Sequence, residues 1–286
     1  MTRKKTRCRK NSMPSPAEAG ATEWWLPLLA LATAAMLGGC AGRPWGTALD
    51  GERLDETRAA ISSLDRDHGR CGQSLDGDLA LFYSDPLGKT ALSGYLQFSQ
   101  PDAYKFVVAN PLGQTVLAIA GNRRDYQAVN VFERLYSEGS MRSFGLRHDL
   151  PKEILEGAWG EWLTGASTRG ADAISMIRED REGRGLWLSY DHRSPEPPGK
   201  THMLWQPENG TVLMAVVDNG DGGTVAEIGY GQRLGEELCH QPQEIRISGL
   251  DYGVDIRLQL SAIRFQNDRK EYRLPIPRGY QQLYMP

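Results

Sequence analysis

Two apolar segments joined by one tight turn, at residues 104–119, place the strongest constraint on how this chain can fold. The segment reads YKFVVANPLGQTVLAI, and its centre is Asn110-Pro111-Leu112-Gly113. Proline fixes the φ angle of the second position of a β-turn, and asparagine and glycine suit the outer positions, so the sequence predicts a hairpin closed by a type I turn. Leu112 then lies at the corner, where a turn usually carries a polar residue. It is either an accident of composition or an apolar contact point.

The rest of the chain repeats this pattern of short strands and turns. The chain has 286 residues, of which 40% are hydrophobic, and its 32 glycines, 16 prolines and 11 tyrosines favour a β-rich fold. The strand signals fall at residues 78–84, 89–99, 104–109, 114–120, 126–132, 134–137, 173–178, 185–190, 201–205, 211–217, 224–230, 243–248 and 254–263. Because short links join consecutive strands, we expect an antiparallel meander.

The meander predicts that two similar turns share one rim of the sheet. The turns after the first and third strands of a meander lie at the same end. These turns are Asp-Pro-Leu-Gly-Lys-Thr at 85–90 and Asn-Pro-Leu-Gly-Gln-Thr at 110–115. Leu87 and Leu112 are therefore expected on the same rim.

Two segments have helical periodicity. Residues 52–67 carry apolar side chains at helical spacing, and residues 151–163 place Trp159, Trp162 and Leu163 on one apolar stripe. A helix inserted into an antiparallel sheet most simply covers the concave face. The expected fold is one strongly curved antiparallel sheet of about ten or eleven strands, with helices against its inner face, in a single domain at residues 51–286.

The N-terminus has the pattern of an export signal. A basic head precedes an apolar stretch at residues 24–37, which is too short for an ordinary transmembrane helix. It ends in Leu-Gly-Gly-Cys at Cys40, which resembles the bacterial lipoprotein signal, in which that cysteine is acylated. We therefore expect a signal peptide at 1–39 and an acylated tether at 40–50. Ala41, rather than Asp, resembles the pattern that directs lipoproteins to the outer membrane, so we expect a lipid-anchored chain on its periplasmic face.

Export also bears on the remaining thiols, because disulfides form in oxidising compartments. After cleavage the cysteines besides Cys40 are Cys71 and Cys239. We predict that they pair, and the alternative is two buried free cysteines.

Charge and motifs argue against several classes of function. Residues 1–39 carry a net charge of +4 within the chain's total of −3, so the remaining body carries −7 and lacks a basic stripe. This excludes nucleic acid as an expected partner. The five histidines show no metal-ligand spacing, and phosphate-binding and nucleophile motifs are absent from the sequence. We expect a binding protein that is no enzyme and has no catalytic residue, metal or cofactor.

Residues 104–113 resemble one family closely. In the outer-membrane lipoprotein receptor family LolB, a strand of the type Tyr-Arg-Leu-Leu-Leu leads into Asn-Pro-Leu-Gly and a second apolar strand. Here Tyr-Lys-Phe-Val-Val-Ala leads into the same turn, and the lipoprotein signal is present. Residues 161–165 and 254–263 are weaker matches. This chain differs from the family in its length, in its two extra cysteines and in the second Pro-Leu-Gly at Leu87.

The resemblance implies an unclosed β-barrel with helices over its mouth and a hydrophobic cavity. It also implies a monomeric receptor that accepts acylated lipoproteins from the soluble carrier LolA and inserts them into the outer membrane. The leucine of the turn, here Leu112, flanked by Pro111 and Gly113, would contact the membrane, and we expect Leu87 to assist it. The side chains expected to line the cavity or simply to fill a core are Tyr104, Phe106, Val108, Leu117, Ile119, Trp159, Trp162 and Leu163. The alternative is a LolB-like envelope lipoprotein with another lipid cargo or a structural role in envelope assembly.

Overall fold

The described part of the chain is mostly β-strand. The computed structural model describes residues 44–68, 73–148, 159–165, 169–192, 198–231, 233–234, 241–250 and 253–286. The strands are β1 (Trp45–Ala48), β2 (Ser74–Asp85), β3 (Gly88–Ser99), β4 (Ala103–Ala109), β5 (Thr115–Gly121), β6 (Asp125–Asn130), β7 (Leu135–Ser140), β8 (Ile174–Asp180), β9 (Leu186–Asp191), β10 (Lys200–Gln206), β11 (Thr211–Asp218), β12 (Thr224–Tyr230), β13 (Arg233–Leu234), β14 (Gln241–Pro242), β15 (Glu244–Leu250), β16 (Val254–Gln266) and β17 (Gln281–Met285).

Fifteen of the described strands form one sheet. Their order is β1-β8-β9-β10-β11-β12-β15-β16-β2-β3-β4-β5-β6-β7-β17, and β13 pairs separately with β14. The late strand β16 pairs with the early strand β2 and so joins two runs of hairpins into one antiparallel sheet. Only the edge strand β17 runs parallel to its neighbour, β7, among the described pairs. The predicted fold, mainly β with one large, curved and unclosed sheet, is confirmed.

The sheet has more strands than the ten or eleven expected. Two of them, β1 and β17, come from segments that the sequence assigned to the tether and to a tail over the surface. Both are short edge strands, with four and five residues. Their pairing is decided by partners far away in the chain, which a local pattern does not reveal.

The backbones of β3 and β4 approach closely at Gly94. A Cβ atom built on Gly94 would lie 1.9 Å from the carbonyl oxygen of Val107. Glycine is the only residue that fits there without moving the neighbouring strand, and such positions mark bends in a sheet.

The helices cover the concave face, as predicted. The described helices are α1 (Gly51–His68), α2 (Met141–His148) and α3 (Trp159–Thr164), with a 3₁₀ turn at Ala171–Ala173. Ile61 of α1 and both Trp162 and Leu163 of α3 are buried in the main hydrophobic cluster of the sheet. Residues 149–158, where the sequence predicts the start of the second helix, lie outside the described residues. No described helix is long and apolar enough to cross a membrane.

The C-terminal segment covers part of the opposite, convex face. Leu274 is buried against Ala118, Ala120, Val129 and Tyr136. Its backbone N–H donates to Oε1 of Gln127 at 2.8 Å. Residues 106–109 are apolar on both faces for this reason: Phe106 and Val108 pack in the main cluster with the helices, and Val107 packs in the cluster that contains Leu274.

The hairpins place their turns on two rims. The registers Asp85↔Gly88, Ala109↔Thr115 and Asn130↔Leu135 put the β2–β3, β4–β5 and β6–β7 turns at one end of these strands. We call this end the Leu112 rim. The β3–β4 turn at residues 100–102 and the β5–β6 turn at residues 122–124 lie at the other end, the opposite rim.

Candidate functional site

The turn that carries Leu112 is held by its own polar groups. Oδ1 of Asn110 accepts hydrogen bonds from the backbone N–H groups of Leu112 and Gln114, both at 3.0 Å. The N–H of Gly113 donates to the carbonyl oxygen of Asn110 at 2.8 Å, closing the turn. Gly113 has a φ of +78°, which glycine adopts without strain. The Leu112 side chain is left 83% exposed.

The second Pro-Leu-Gly turn has a related construction. Oδ1 of Asp85 accepts from the N–H groups of Leu87 and Gly88, both at 2.8 Å. Leu87 is 96% exposed. The β2–β3 hairpin extends past the end of β4, because Ala109 pairs with Ser93 while β3 continues to Gly88. The structure therefore brings Leu87 and Leu112 to the same rim, with the β2–β3 turn projecting further along the strands.

The residues expected to line a cavity are on the concave face. Phe106 pairs with Ile119, and Val108 pairs with Leu117. Tyr104 and Val108 are buried, and the other members of this group on β4 and β5 are partly buried against the same cluster. Trp162 and Leu163 are each 2% exposed. The side chain of Trp159 lies outside the described residues.

Burial of the concave face changes from one end to the other. Toward the opposite rim, the apolar side chains are closely covered, as Leu75, Leu96 and Phe98 show with at most 2% exposure. Toward the Leu112 rim, Leu81, Leu92 and Leu117 are only partly buried. Leu81 and Leu92 face each other across β2 and β3. The apolar inner surface is therefore open where the two leucine turns lie.

Sequence reasoning missed Leu81 and Leu92 as members of this site. Each lies in a predicted strand with period-2 alternation, Leu79-Leu81 on β2 and Leu92-Leu96 on β3. That pattern could have placed them on the inner face beside residues 104–119. Only the register of four neighbouring strands shows that they lie at its open end.

The inner end of the concave face is a packed core. Three clefts are formed by described residues at other places on the sheet, and none of the seven described residues predicted to line a cavity borders these three. The largest of these clefts, about 1020 Å³, lies at the opposite rim and includes Arg269, Lys270 and Tyr272 among its lining residues. The inner surface is least covered in the strip of Leu81, Leu92 and Leu117 near the Leu112 rim.

Burial raises the pKa of Tyr104 to about 12, with the nearby Asp102 carboxylate acting in the same direction. The phenol is therefore neutral at physiological pH, and its hydroxyl donates to Sδ of Met141 at 3.3 Å. This contact joins β4 to α2. The concave face consequently has no charge at this position.

A group of three buried polar residues on the convex face consists of Ser189, His202 and Asp218. Oγ of Ser189 lies 2.8 Å from Nδ1 of His202, and Nε2 of His202 lies 3.4 Å from Oδ2 of Asp218. The three residues are at most 5% exposed, and the ring of Trp45 stacks on His202 with centroids 4.3 Å apart. A nucleophilic serine must meet its substrate, whereas this one is buried. The stacked ring of Trp45 packs β1 against the His202 end of this group.

Several predicted site residues cannot be placed. Cys40, expected to be acylated, and Cys71 and Cys239, expected to pair, lie outside the described residues. Within the described ranges no group of three His, Cys, Asp or Glu side chains is placed to hold a metal ion.

Comparisons with known proteins identify the fold. No protein-family model and no curated protein sequence match the chain. A Vibrio parahaemolyticus domain described as an outer membrane lipoprotein-sorting protein aligns over 76% of this chain and 95% of its own, with 9% identity and a TM-score of 0.54. A DUF1329 family protein from Desulfovibrio piger aligns over 75% and 94%, with 11% identity and a TM-score of 0.50. A LolA superfamily protein from Nitrosomonas europaea aligns over 72% and 94%, with 13% identity and a TM-score of 0.47.

At these identities the structural likeness concerns the fold alone. It rests on the first two proteins, each of which is covered almost completely. Together with the large unclosed sheet and the helices on its concave face, it shows that this chain shares the fold of the Vibrio domain and the DUF1329 protein.

Proposed function

We propose that this chain is an outer-membrane-anchored lipoprotein that accepts acylated lipoproteins from a LolA-type periplasmic carrier and inserts them into the outer membrane. The observation that carries the proposal is the position of Leu112. It is 83% exposed on a hydrogen-bonded turn at the rim where the apolar concave face is only partly covered. The fold shared with a lipoprotein-sorting domain supports the same assignment.

The free energy of acyl-chain transfer explains why such a site is needed. Each buried CH₂ group contributes about 0.8 kcal/mol, so a cargo with several acyl chains does not cross water uncovered. The strip of Leu81, Leu92 and Leu117 offers apolar surface that the protein covers only in part. Transfer onward requires that this surface be close to the bilayer, and the exposed leucines lie at the same rim.

The anchor follows from the N-terminal sequence. In this proposal Cys40 carries the acyl chains, residues 1–39 are removed, and the chain is held at the periplasmic face of the outer membrane. The first described strand, β1, begins at Trp45, five positions after Cys40 in the sequence. The chain acts as a monomeric binding protein without a catalytic step.

A second candidate is a LolB-like envelope lipoprotein with another lipid cargo or a structural role in envelope assembly. The packed inner end of the concave face favours it. Leu96, Phe98 and Trp162 fill that space with at most 2% exposure. A barrel that never opens would have this interior.

A transfer assay separates the two candidates. Acylated, labelled cargo bound to the carrier is mixed with outer-membrane vesicles that contain the mature lipoprotein, and cargo in the vesicles is measured over time. The receptor function predicts transfer in proportion to the amount of the lipoprotein. If vesicles with the lipoprotein gain no more cargo than vesicles without it, the receptor function is refuted.

A binding assay distinguishes another lipid cargo from a structural role. The four described hydrophobic clusters all lie within residues 44–286, so a chain that starts at residue 41 keeps the whole described core. A fluorescent fatty acid is bound to this chain and displaced by an acylated peptide. Saturable binding without transfer indicates another lipid cargo, and no binding indicates the structural role.

A further inference from the structure

A third exposed apolar side chain lies on the Leu112 rim. Phe132 is 76% exposed at the β6–β7 turn, residues 131–134. The sequence predicted it as the last residue of a strand at 126–132. The strand ends at Asn130 instead, where Oδ1 of this residue accepts from the N–H of Glu133 at 3.2 Å and so starts the turn.

The three consecutive hairpins that open on this rim thus have a common design. Each turn begins with an Asp or Asn whose side-chain oxygen accepts a backbone N–H of the turn, and each exposes one large apolar side chain. The pairs are Asp85 with Leu87, Asn110 with Leu112, and Asn130 with Phe132. Some of the polar backbone groups at each tip are therefore already hydrogen-bonded, which lowers the cost of moving the tip out of water.

The opposite rim provides an internal comparison. Oδ1 of Asn122 accepts from the N–H groups of Arg124 and Asp125, at 2.7 and 3.0 Å, so the β5–β6 turn has the same construction. It presents two exposed arginines, Arg123 and Arg124, instead of an apolar residue. Turn chemistry alone therefore does not account for the apolar side chains of the Leu112 rim.

The charged side chains of the three turns nearly balance, so charge does not keep this rim from a lipid surface. Lys89 and Arg134 are exposed two positions after Leu87 and Phe132, and the exposed Glu133 lies between Phe132 and Arg134. The two basic residues can meet anionic headgroups beside the apolar anchors. The carboxylate of Asp85 accepts the two backbone N–H groups within its own turn.

We propose that Leu87, Leu112 and Phe132 form one bilayer-contact surface, in which Phe132 inserts into the bilayer as the two leucines do. The three side chains stand on separate turns, so each can enter the headgroup region of a bilayer by itself. The proposal extends the proposed function, because it names the bilayer surface that the receptor contacts and the third residue that contacts it.

Photolabelling from within the bilayer tests the proposal. The native lipoprotein is reconstituted in vesicles of phosphatidylethanolamine and phosphatidylglycerol that contain a small fraction of phospholipid with a photoreactive acyl chain. After illumination, labelled peptides are mapped by mass spectrometry. We expect adducts at the turns around Leu87, Leu112 and Phe132, with labelling about tenfold lower at residues 100–102 and 122–124, since burial of one large apolar side chain corresponds to about that factor in an equilibrium constant.

Matched variants identify the contribution of Phe132. Phe132→Glu should lower the labelling of its own turn several-fold and weaken that of the Leu112 turn, whereas Phe132→Leu should retain both. Arg124→Phe, on the turn of the same construction at the opposite rim, should gain no label. Because Phe132 is exposed, these changes leave the core intact, and circular dichroism confirms the fold.

Three results would overturn the proposal: equal labelling of both rims, labelling confined to the Leu112 turn, or lipid labelling of none of the three turns while they crosslink to the carrier protein. The transfer assay is read separately. Labelled turns without cargo transfer would refute the receptor function alone. Transfer with unlabelled turns would refute the three-residue surface alone.

Discussion

Leu87 and Leu112 occupy corresponding positions in two turns on one rim of the sheet. The backbone N–H of each leucine donates to the side-chain oxygen of the residue two positions earlier, Asp85 for Leu87 at 2.8 Å and Asn110 for Leu112 at 3.0 Å. In both turns the leucine side chain points away from the core and is more than 80% exposed. This arrangement fixes the backbone while leaving the apolar side chain in solvent, so the side chain can be changed without changing the turn.

Leu112→Glu is expected to block cargo delivery and leave the fold unchanged. An exposed side chain outside the core contributes little to folding, so the free energy of unfolding should change by no more than about 0.5 kcal/mol. A carboxylate at the tip opposes entry into the bilayer. Delivery is measured by the vesicle transfer assay, with Leu112→Met as the apolar control; a glutamate variant that delivers at the normal rate would contradict the role of this leucine.

Asn110→Ala is expected to reduce delivery by loosening the turn beneath Leu112. The substitution removes the two hydrogen bonds that Oδ1 of Asn110 accepts, at a cost of about 1 kcal/mol in turn stability. Asn110→Asp keeps the acceptor and should restore delivery. The measurement is the initial transfer rate of the two variants. Equal rates for alanine and asparagine would show that the position of Leu112 does not depend on this side chain.

Leu92→Trp is expected to weaken acyl binding at the open end of the concave face. The larger ring would occupy the partly covered surface beside Leu81. We expect the affinity for a fluorescent fatty acid to fall about fivefold or more, because the ligand loses the transfer free energy of about one buried apolar group. Ser93→Trp is the matched control, because the next residue of a strand points to the other face. Binding is measured by probe titration, and an equal loss in both variants would argue against a site at Leu92.

Gly94→Ala is expected to destabilise the sheet by about 3 kcal/mol, because the new methyl group would overlap the backbone of β4. The conflict is with a carbonyl oxygen, so rotation of a side chain does not relieve it. Gly88→Ala is the control, since a Cβ there meets no atom within 4 Å. Denaturant unfolding measures both variants. A Gly94→Ala protein as stable as Gly88→Ala would contradict the close approach.

Asp180 is expected to make stability fall at low pH. Its hydrogen bonds with Arg184, opposed by burial and assisted by the indole N–H of Trp187, lower the pKa of its carboxyl group from 3.8 to about 2. Because the folded-state pKa lies below the unfolded one, this stabilisation of about 2 kcal/mol is present above pH 4 and disappears as the pH falls from about 4 to 2.

Urea unfolding at several pH values between 5 and 2 measures this dependence. Asp180→Asn keeps an acceptor for Trp187 but has no titrating carboxyl group, so its stability should be lower at neutral pH and should vary less over this range. The two proteins should become similar near pH 2. An unchanged pH dependence in the variant would assign the acid sensitivity to other carboxyl groups.

Local sequence patterns predicted the hairpins around Asn110 and Asp85, the exposed leucines and the mainly β fold. These features depend on residues within a few positions of each other, such as a side-chain oxygen that accepts the N–H group two positions later. The apolar alternation of residues 104–119 likewise predicted that Phe106, Val108, Leu117 and Ile119 share one face, and their pairing in β4 and β5 agrees. The segments 45–48 and 281–285 were misassigned because an edge strand owes its conformation to its partner.

Long-range pairing settled the features that no single segment encodes. The β16–β2 pairing joins the sheet, the tail around Leu274 covers its convex face, and His202 becomes a buried residue beneath Trp45. Phe132 joins Leu87 and Leu112 because three hairpins open at one end of the strands. Residue patterns specify which groups are apolar and which backbone turns are favourable. The convergence of the three turns on one rim depends on the register of strands that are far apart in the chain. That register is fixed only when the whole sheet buries its inner face.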